Sequence, residues 1–350
     1  MSSVIGVDLG GTKVAVASLV GRHFGESVLL PTDRSGSVNL IDQLVAMVGR
    51  VRGDHLDAIG IGVPSIVEFD TGRVVSSVNI PLKDVPLRQV LGERLGVPVF
   101  VDNDATVAAL AEAHDAELRL VAHNLVMITV GTGVGGGIVL GGRIYRGATG
   151  GAGELGHTLV GLNLSGESVP EPTGFPQPGS LESVAAGHAL DKLVLEAAES
   201  FPDSALARLK AEGVAVAGAE AVECAEEGDA AAQWIIEIWA ERVGIGIANA
   251  INTFDPEEVV IGGGAARAGE RLLQTAERVA RGYVVPGLGR RTSVRLAWHG
   301  VRAGVLGAAL LAAQEIEAQA RGSGSGSGSG FAGSNSAADT LAADTRAARG

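Results

Sequence analysis

The sequence predicts an α/β protein of two related halves that offer loops to one ligand between them. Three observations lead there. Ser3–Leu9 reads as a strand that breaks at Gly10-Gly11-Thr12-Lys13 and returns as a second strand over 14–20. About 120 residues later, a strand over 126–130 breaks at Gly131-Thr132-Gly133 and resumes over 137–140. A third glycine loop, Gly262-Gly263-Gly264, stands where a strand over 259–261 gives way to a helix over 270–281, a junction suited to a nucleotide phosphate.

The remaining elements follow from the spacing of apolar residues. Residues 27–30 read as a third strand, and Leu40, Ile41, Leu44, Val45 and Val48 share one face of a helix over 38–51. Ala58–Val63 is a strand running into Pro64-Ser65, followed by a turn at 70–72, a short strand at 74–75, and Asn79 in a loop before Ile80-Pro81. Leu87–Leu95 is a helix closed by Gly96, and 97–101 is a strand. Asp102-Asn103-Asp104 then leads into an alanine-rich helix ending at Ala113. Such residues cap helices well, which explains one of the three. All three stand at the carboxyl end of a buried strand, where open α/β sheets place ligands. Residues 160–179 are irregular and carry Pro170, Pro172, Pro176 and Pro178. A helix restarts at 181–186, with Glu182 in a first turn that favours a carboxylate. Helical patterns follow over 190–200, 204–211, 219–226 and Ala230–Phe254; 293–297 is the last strand and 305–319 the last helix.

The stretch 126–157 concentrates the chemistry, with 12 glycines among its 32 residues. A glycine tip has little side chain and many backbone N–H groups, so phosphate oxygens can approach the main chain. Glu154 and His157 stand three residues apart and share one face of a helical turn. A phosphate cradle followed by a carboxylate and an imidazole suits phosphoryl transfer to a polar acceptor. The structural alternative is a glycine-rich hairpin with no ligand. Asp8, at the end of the first strand, is placed to hold a divalent cation.

Composition removes other classes. A net charge of −13 argues against nucleic acid and anionic membrane surfaces as partners. Cys224 is the only cysteine, so no intrachain disulfide and no multi-thiolate metal site can form. With no basic, apolar leader at the start and no long apolar run, the chain is expected to be soluble and cytoplasmic. From Arg321 the composition shifts to GSGSGSGSG and small polar residues, which reads as a flexible tail, native or added, outside the fold.

Taken together, the motifs resemble the ROK family of sugar kinases and sugar-responsive repressors over roughly residues 4–318. IGVDLGGTK is similar to the family's first phosphate motif and VDNDA to its catalytic motif. The stretch from Ile128 to His157 is similar to its second phosphate motif and sugar loop, and NTFDPEEVVIGGG to its carboxyl-terminal nucleotide motif. The resemblance implies an actin-like, hexokinase-type (ribonuclease H-like) fold of two α/β domains closing on a cleft. The domains would be 1–119 plus 303–320, and 120–302, with 321–350 as the tail. It implies Asp104 as general base, with Asn79, Asn103, Asp104, Glu154, His157 and Glu182 on the sugar. The loops Gly10-Gly11-Thr12-Lys13, Gly131-Thr132-Gly133 and Gly262-Gly263-Gly264 would hold ATP, with Asp8 near its Mg²⁺. It also implies a homodimer or homotetramer.

Three departures bear on the substrate. The family usually has three cysteines that hold zinc with the sugar-loop histidine; here Thr173, Phe175 and Ser180 stand in the aligned stretch, so no zinc is expected. The same loop is lengthened by LNLSGESVPEP, and Pro64-Ser65 replaces the more usual Pro-Gly. The expected reaction is ATP-dependent phosphorylation of a hexose 6-hydroxyl, with glucose the default. An amino-hexose (kanosamine or an N-acetylhexosamine) is the rival substrate and polyphosphate the alternative donor. A sugar-sensing repressor is disfavoured by the three residues before Val4, and a non-catalytic actin-like subunit by the intact Asp104 and glycine loops.

Overall fold

The computed structural model describes residues 2–77, 79–162, 165, 169 and 171–324. In the first half, β1 (Ser3–Leu9) and β2 (Lys13–Val20) form the first glycine hairpin, and β3 (His23–Phe24) and β4 (Val28–Pro31) both pair with β2. Helix α1 (Ser37–Val51) carries the chain to β5 (Ala58–Val63), parallel to β1. A parallel neighbour requires such a crossover. β5 is buried at all six positions, as a central strand covered on both faces must be. β6 (Ser65–Glu68) and β7 (Arg73–Ser77) make a separate antiparallel ribbon. Helix α2 (Leu87–Leu95) leads to β8 (Val99–Asn103), parallel to β5, and α3 (Asp104–Glu112) follows at once. The sheet order is β3-β2-β1-β5-β8.

The second half repeats the plan. β9 (Leu125–Val130), β10 (Val134–Leu140) and β11 (Arg143–Ile144) run antiparallel. A helical block follows: α4 (Leu181–Ala185), α5 (Gly187–Ser200), α6 (Ala205–Ala211), α7 (Gly218–Glu226) and α8 (Ala230–Phe254). It leads to β12 (Glu258–Gly262), parallel to β9, and α9 (Gly269–Tyr283) leads to β13 (Ser293–Leu296). The order β11-β10-β9-β12-β13 again sets an antiparallel hairpin beside two parallel strands. Trp239 of α8 is fully buried in this core, its indole N–H donating to the Ala185 carbonyl at 2.7 Å. No helix among the described residues is long and apolar enough to cross a membrane.

The last helix, α10 (Ala303–Gly324), returns to the first half and lies on β1, β5 and α3. Glycine makes the approach possible. A Cβ on Gly6 would sit 2.0 Å from the Val305 carbonyl oxygen, and one on Gly60 1.8 Å from that of Ala308. A Cβ on Gly307 would meet the Val107 carbonyl oxygen of α3 at 1.7 Å.

Several elements depart from expectation. The strand expected at 97–101 runs through Asn103, because Asp102 and Asn103 continue the ladder opposite Gly62 and Val63 of β5. β10 begins at Val134, three residues before the strand was expected to resume, so Gly135 and Gly136 join Gly137 in the strand and are not part of the turn. Their missing side chains make room elsewhere: a Cβ on Gly136 would strike the Gly153 carbonyl oxygen at 2.4 Å, and one on Gly137 that of Ala105 at 2.6 Å. β6 was not expected, and β7 is longer than the two residues foreseen. Helix α10 continues past Arg321 to Gly324. The rest of the expected tail, 325–350, and Pro170 lie outside the described residues.

Candidate functional site

The two halves enclose a cleft of about 770 Å³. Its floor is set by strand register. Asp8 of β1 pairs with Gly62 of β5, and Gly62 with Asp102 of β8, so the carboxyl ends of three parallel strands stop in one row. Asn103 ends that row, and its Oδ1 accepts the Thr106 N–H at 3.1 Å, capping α3. Asp104 is therefore the first residue of the helix, with Oδ1 accepting the Ala105 N–H at 2.8 Å. Of the three polar residues, Asn103 is the cap.

Burial raises the proton affinity of Asp104 above the ordinary carboxylate range. Asp8 is pushed up to about 6, first by burial and then by the charge of Asp104. The N-terminal turn of α10 closes on Asp8, since a Cβ on Gly304 would lie 2.5 Å from that carboxylate. Two carboxylates crowded at a cleft floor form a donor set that suits a divalent cation.

Glu154 and His157 come from a short 3₁₀ turn, Leu155–His157, with Glu154 just before it. His157 Nε2 lies 3.8 Å from a Glu154 carboxylate oxygen, and its buried Nδ1 has no hydrogen-bond partner. Glu182, in the first turn of α4, accepts the Val134 N–H at 2.7 Å and lies against Gly133, where a Cβ would meet its Oε2 at 2.5 Å. It thus docks on the second glycine tip. Backbone bonds hold it there: Leu181 N–H to Thr158 O at 2.9 Å, and Val160 N–H to Gly179 O at 2.8 Å.

The positions where the family would carry zinc thiolates have other partners. The Ser180 hydroxyl is buried and accepts the Ser183 N–H at 3.3 Å. Phe175 sets its ring edge-to-face on His157 at 5.2 Å, while remaining 78% exposed. It covers the imidazole from outside and does not fill a core space. Among the described residues no three His, Cys, Asp or Glu side chains group as a metal site. The chemistry of this donor set does not fit zinc.

The cleft is lined by Asp8, Asn79, Asn103, Asp104, Gly131, Thr132, Gly133, Glu154, His157, Glu182 and Gly263. Gly262 and Gly264 flank it; Gly262 ends β12 and Gly264 opens a 3₁₀ turn. Gly10, Gly11, Thr12 and Lys13 do not line it. Their turn is tightened by Gly10 N–H to Lys13 O at 2.9 Å and by the Thr32 hydroxyl to Gly10 O at 2.7 Å, with Gly11 against Asn79. Ser76, Ser77, Thr129, Gly300, Val301 and Gly304, which the sequence did not mark, also line the cleft, as does Ser65, noted only as a departure from the family. Ser65 had a signal, its replacement of a usual glycine; its hydroxyl is buried without a partner.

Two similarly built α/β halves meet over buried carboxylates, with the 131–133 tip lining the cleft and the 10–13 turn behind Asn79. This is the arrangement of a phosphotransferase of the actin-like, hexokinase type, the fold of the solved ROK kinases to which the chain is similar. Comparison with known proteins narrows the class. The chain belongs to the ROK family, whose profile matches residues 4–315. It is 35% identical to a glucokinase of Halalkalibacterium halodurans, over 89% of this chain and 95% of that one. It is also 30% identical to a xylose repressor of Caldicellulosiruptor bescii, over 80% and 70% of the two chains. A ROK family glucokinase from Streptomyces griseus, solved with glucose and AMPPNP, superposes with a TM-score of 0.72 at 30% identity, covering 89% of this chain and all of that one.

Proposed function

We propose that this protein transfers the γ-phosphoryl group of ATP to the 6-hydroxyl of a hexose, with glucose as the first substrate to test. The observation that carries the reading is the cleft floor, where Asp104 stands at the start of α3 with raised proton affinity beside Asp8. A sugar hydroxyl is a poor nucleophile, and a carboxylate of raised pKa is a stronger base for its proton. Asp104 orients that hydroxyl and accepts the proton as the bond to phosphorus forms. Asn79, Asn103, Glu154, His157 and Glu182 bind the remaining hydroxyls, and a mismatched epimer would leave buried polar groups unpaired. The glycine tips at 131–133 and 262–264 receive the phosphates through backbone N–H groups, with the 10–13 turn behind Asn79. Asp8 would hold the Mg²⁺ that accompanies the nucleotide and offsets phosphate charge. The division into 1–119 plus 303–320 and 120–302 is supported by the two sheets and the return of α10.

An amino-hexose is the second reading. It is favoured by the loss of the family's zinc thiolates beside His157, where Phe175 now packs, and by Ser65 in the cleft wall, whose hydroxyl is buried without a partner. Measuring ADP release with ATP across hexoses and amino-hexoses, and sugar phosphate formation with polyphosphate in its place, separates these readings. Sugar-independent or absent release would refute the kinase reading and favour a sensor of the repressor kind.

A further inference from the structure

Arg146 takes no part in the chemistry above, yet it joins three pieces of the site. It follows β11 in the second half and reaches back into the first. Its Nε donates to Asp102 Oδ2 at 2.7 Å, with side chains 19% and 3% exposed. Its guanidinium plane lies over the Phe69 ring, 3.4 Å from the centroid. Its Nη2 is buried, 3.6 Å from Glu315 of α10, and makes no hydrogen bond.

Two of these side-chain contacts lead to the cleft, and the Arg146 backbone leads to a third part of it. Asp102 Oδ1 accepts the Asn103 N–H at 2.9 Å, and Asn103 caps the helix that Asp104 begins. The Arg146 carbonyl accepts the Ala152 N–H at 3.1 Å, which anchors the glycine segment delivering Glu154 and His157. Glu315 belongs to the helix that brings Gly304 against Asp8. A flat guanidinium can bond a carboxylate edge-on and stack on an aromatic ring at once; an ammonium cannot.

We propose that Arg146 is a positioning residue for phosphoryl transfer, holding the strand end that carries Asp104 in register with the turn that carries Glu154 and His157. The inference rests on Asp104 being the base. Removing the cation leaves Asp102 a buried charge without its partner, a strongly unfavourable state that displacing the strand end relieves. Displacement of reacting groups by about 1 Å costs about 10²-fold in rate.

The test compares Arg146→Ala, Arg146→Gln and Asp104→Asn with the unaltered protein, with rates taken per folded molecule by thermal melt and circular dichroism. In both Arg146 variants kcat is expected to fall about 10²-fold. KM for ATP should change less than about threefold, and KM for sugar should rise by less than kcat falls, because Glu154 and His157 also bind sugar in the ground state. Millimolar guanidinium ion is expected to restore part of the kcat of Arg146→Ala and none of that of Asp104→Asn. A kcat within about twofold of the original in Arg146→Gln overturns the proposal, as does a loss carried wholly by KM. So does a loss in folded Arg146→Ala that guanidinium does not touch. If Arg146→Ala does not fold, the kcat and KM of Arg146→Gln decide. An Asp104→Asn variant of ordinary turnover would instead remove the base assignment on which the inference stands.

Discussion

Replacing Asp8 by asparagine should stabilise the metal-free protein above pH 6 while disabling it. The Asp8 pKa rises from 3.8 to about 6 on folding, by burial and then by the charge of Asp104. The folded state therefore holds a proton that the unfolded state has lost. Stability is full below the unfolded pKa, declines as pH rises through the window from 3.8 to about 6, and stays low above it. At about 1.4 kcal/mol per pKa unit the full cost is about 3 kcal/mol. Asp8 opens partly onto the cleft, so solvent screening reduces the expected gain to about 1–2 kcal/mol. Urea unfolding in a chelator at pH 4 and pH 8 would measure it. The asparagine variant should match the original at pH 4, exceed it at pH 8, and show no sugar-dependent ADP release. A gain equal at both pH values, or none at pH 8, would refute the electrostatic account.

Three further outcomes are expected. Asp104→Asn should fold and bind sugar with modest change while turnover drops by about 10² or more, checked by titration and ADP release. Gly60→Ala should cost at least about 1–3 kcal/mol in denaturant unfolding, because its Cβ would meet the Ala308 carbonyl oxygen at 1.8 Å and backbone must move. Elemental analysis of purified protein should find no stoichiometric zinc; one zinc per chain would show that Ser180, His157 and their neighbours bind metal by a route their chemistry does not suggest.

Much of this architecture was legible because its signals are local. A glycine turn between two apolar strands needs only a dozen residues to declare itself, and both hairpins and the 102–104 run were read that way. What failed was information held across the fold. Gly135 and Gly136 look like a turn in isolation, yet with Gly137 they are strand residues emptied to admit Gly153 and the first turn of α3. β6 was hidden because its Ser65–Glu68 alternation is four residues long and only its pairing with β7 defines it. Asp102 and Arg146 are 44 residues apart, and nothing in either neighbourhood marks them as partners. The 10–13 turn resembles the 131–133 turn in sequence, but it lies outside the cleft lining, with Gly10 bonded to Thr32 and Gly11 against Asn79.

The glycine-faced seat of α10 also sets an order of birth. Translation delivers β1 and β5 early, but the helix that covers Gly6 and Gly60 begins only at Ala303. At about 5–20 residues per second, the roughly 240 residues between β5 and α10 keep that face waiting for about 12–50 seconds. The strands of the second half, through β13 at Leu296, all emerge before it. The half synthesised first is therefore the half completed last. During that interval an apolar sheet face is open to chaperones and to neighbouring chains, so synthesis yield should respond to translation speed and chaperone supply more than equilibrium stability alone would indicate.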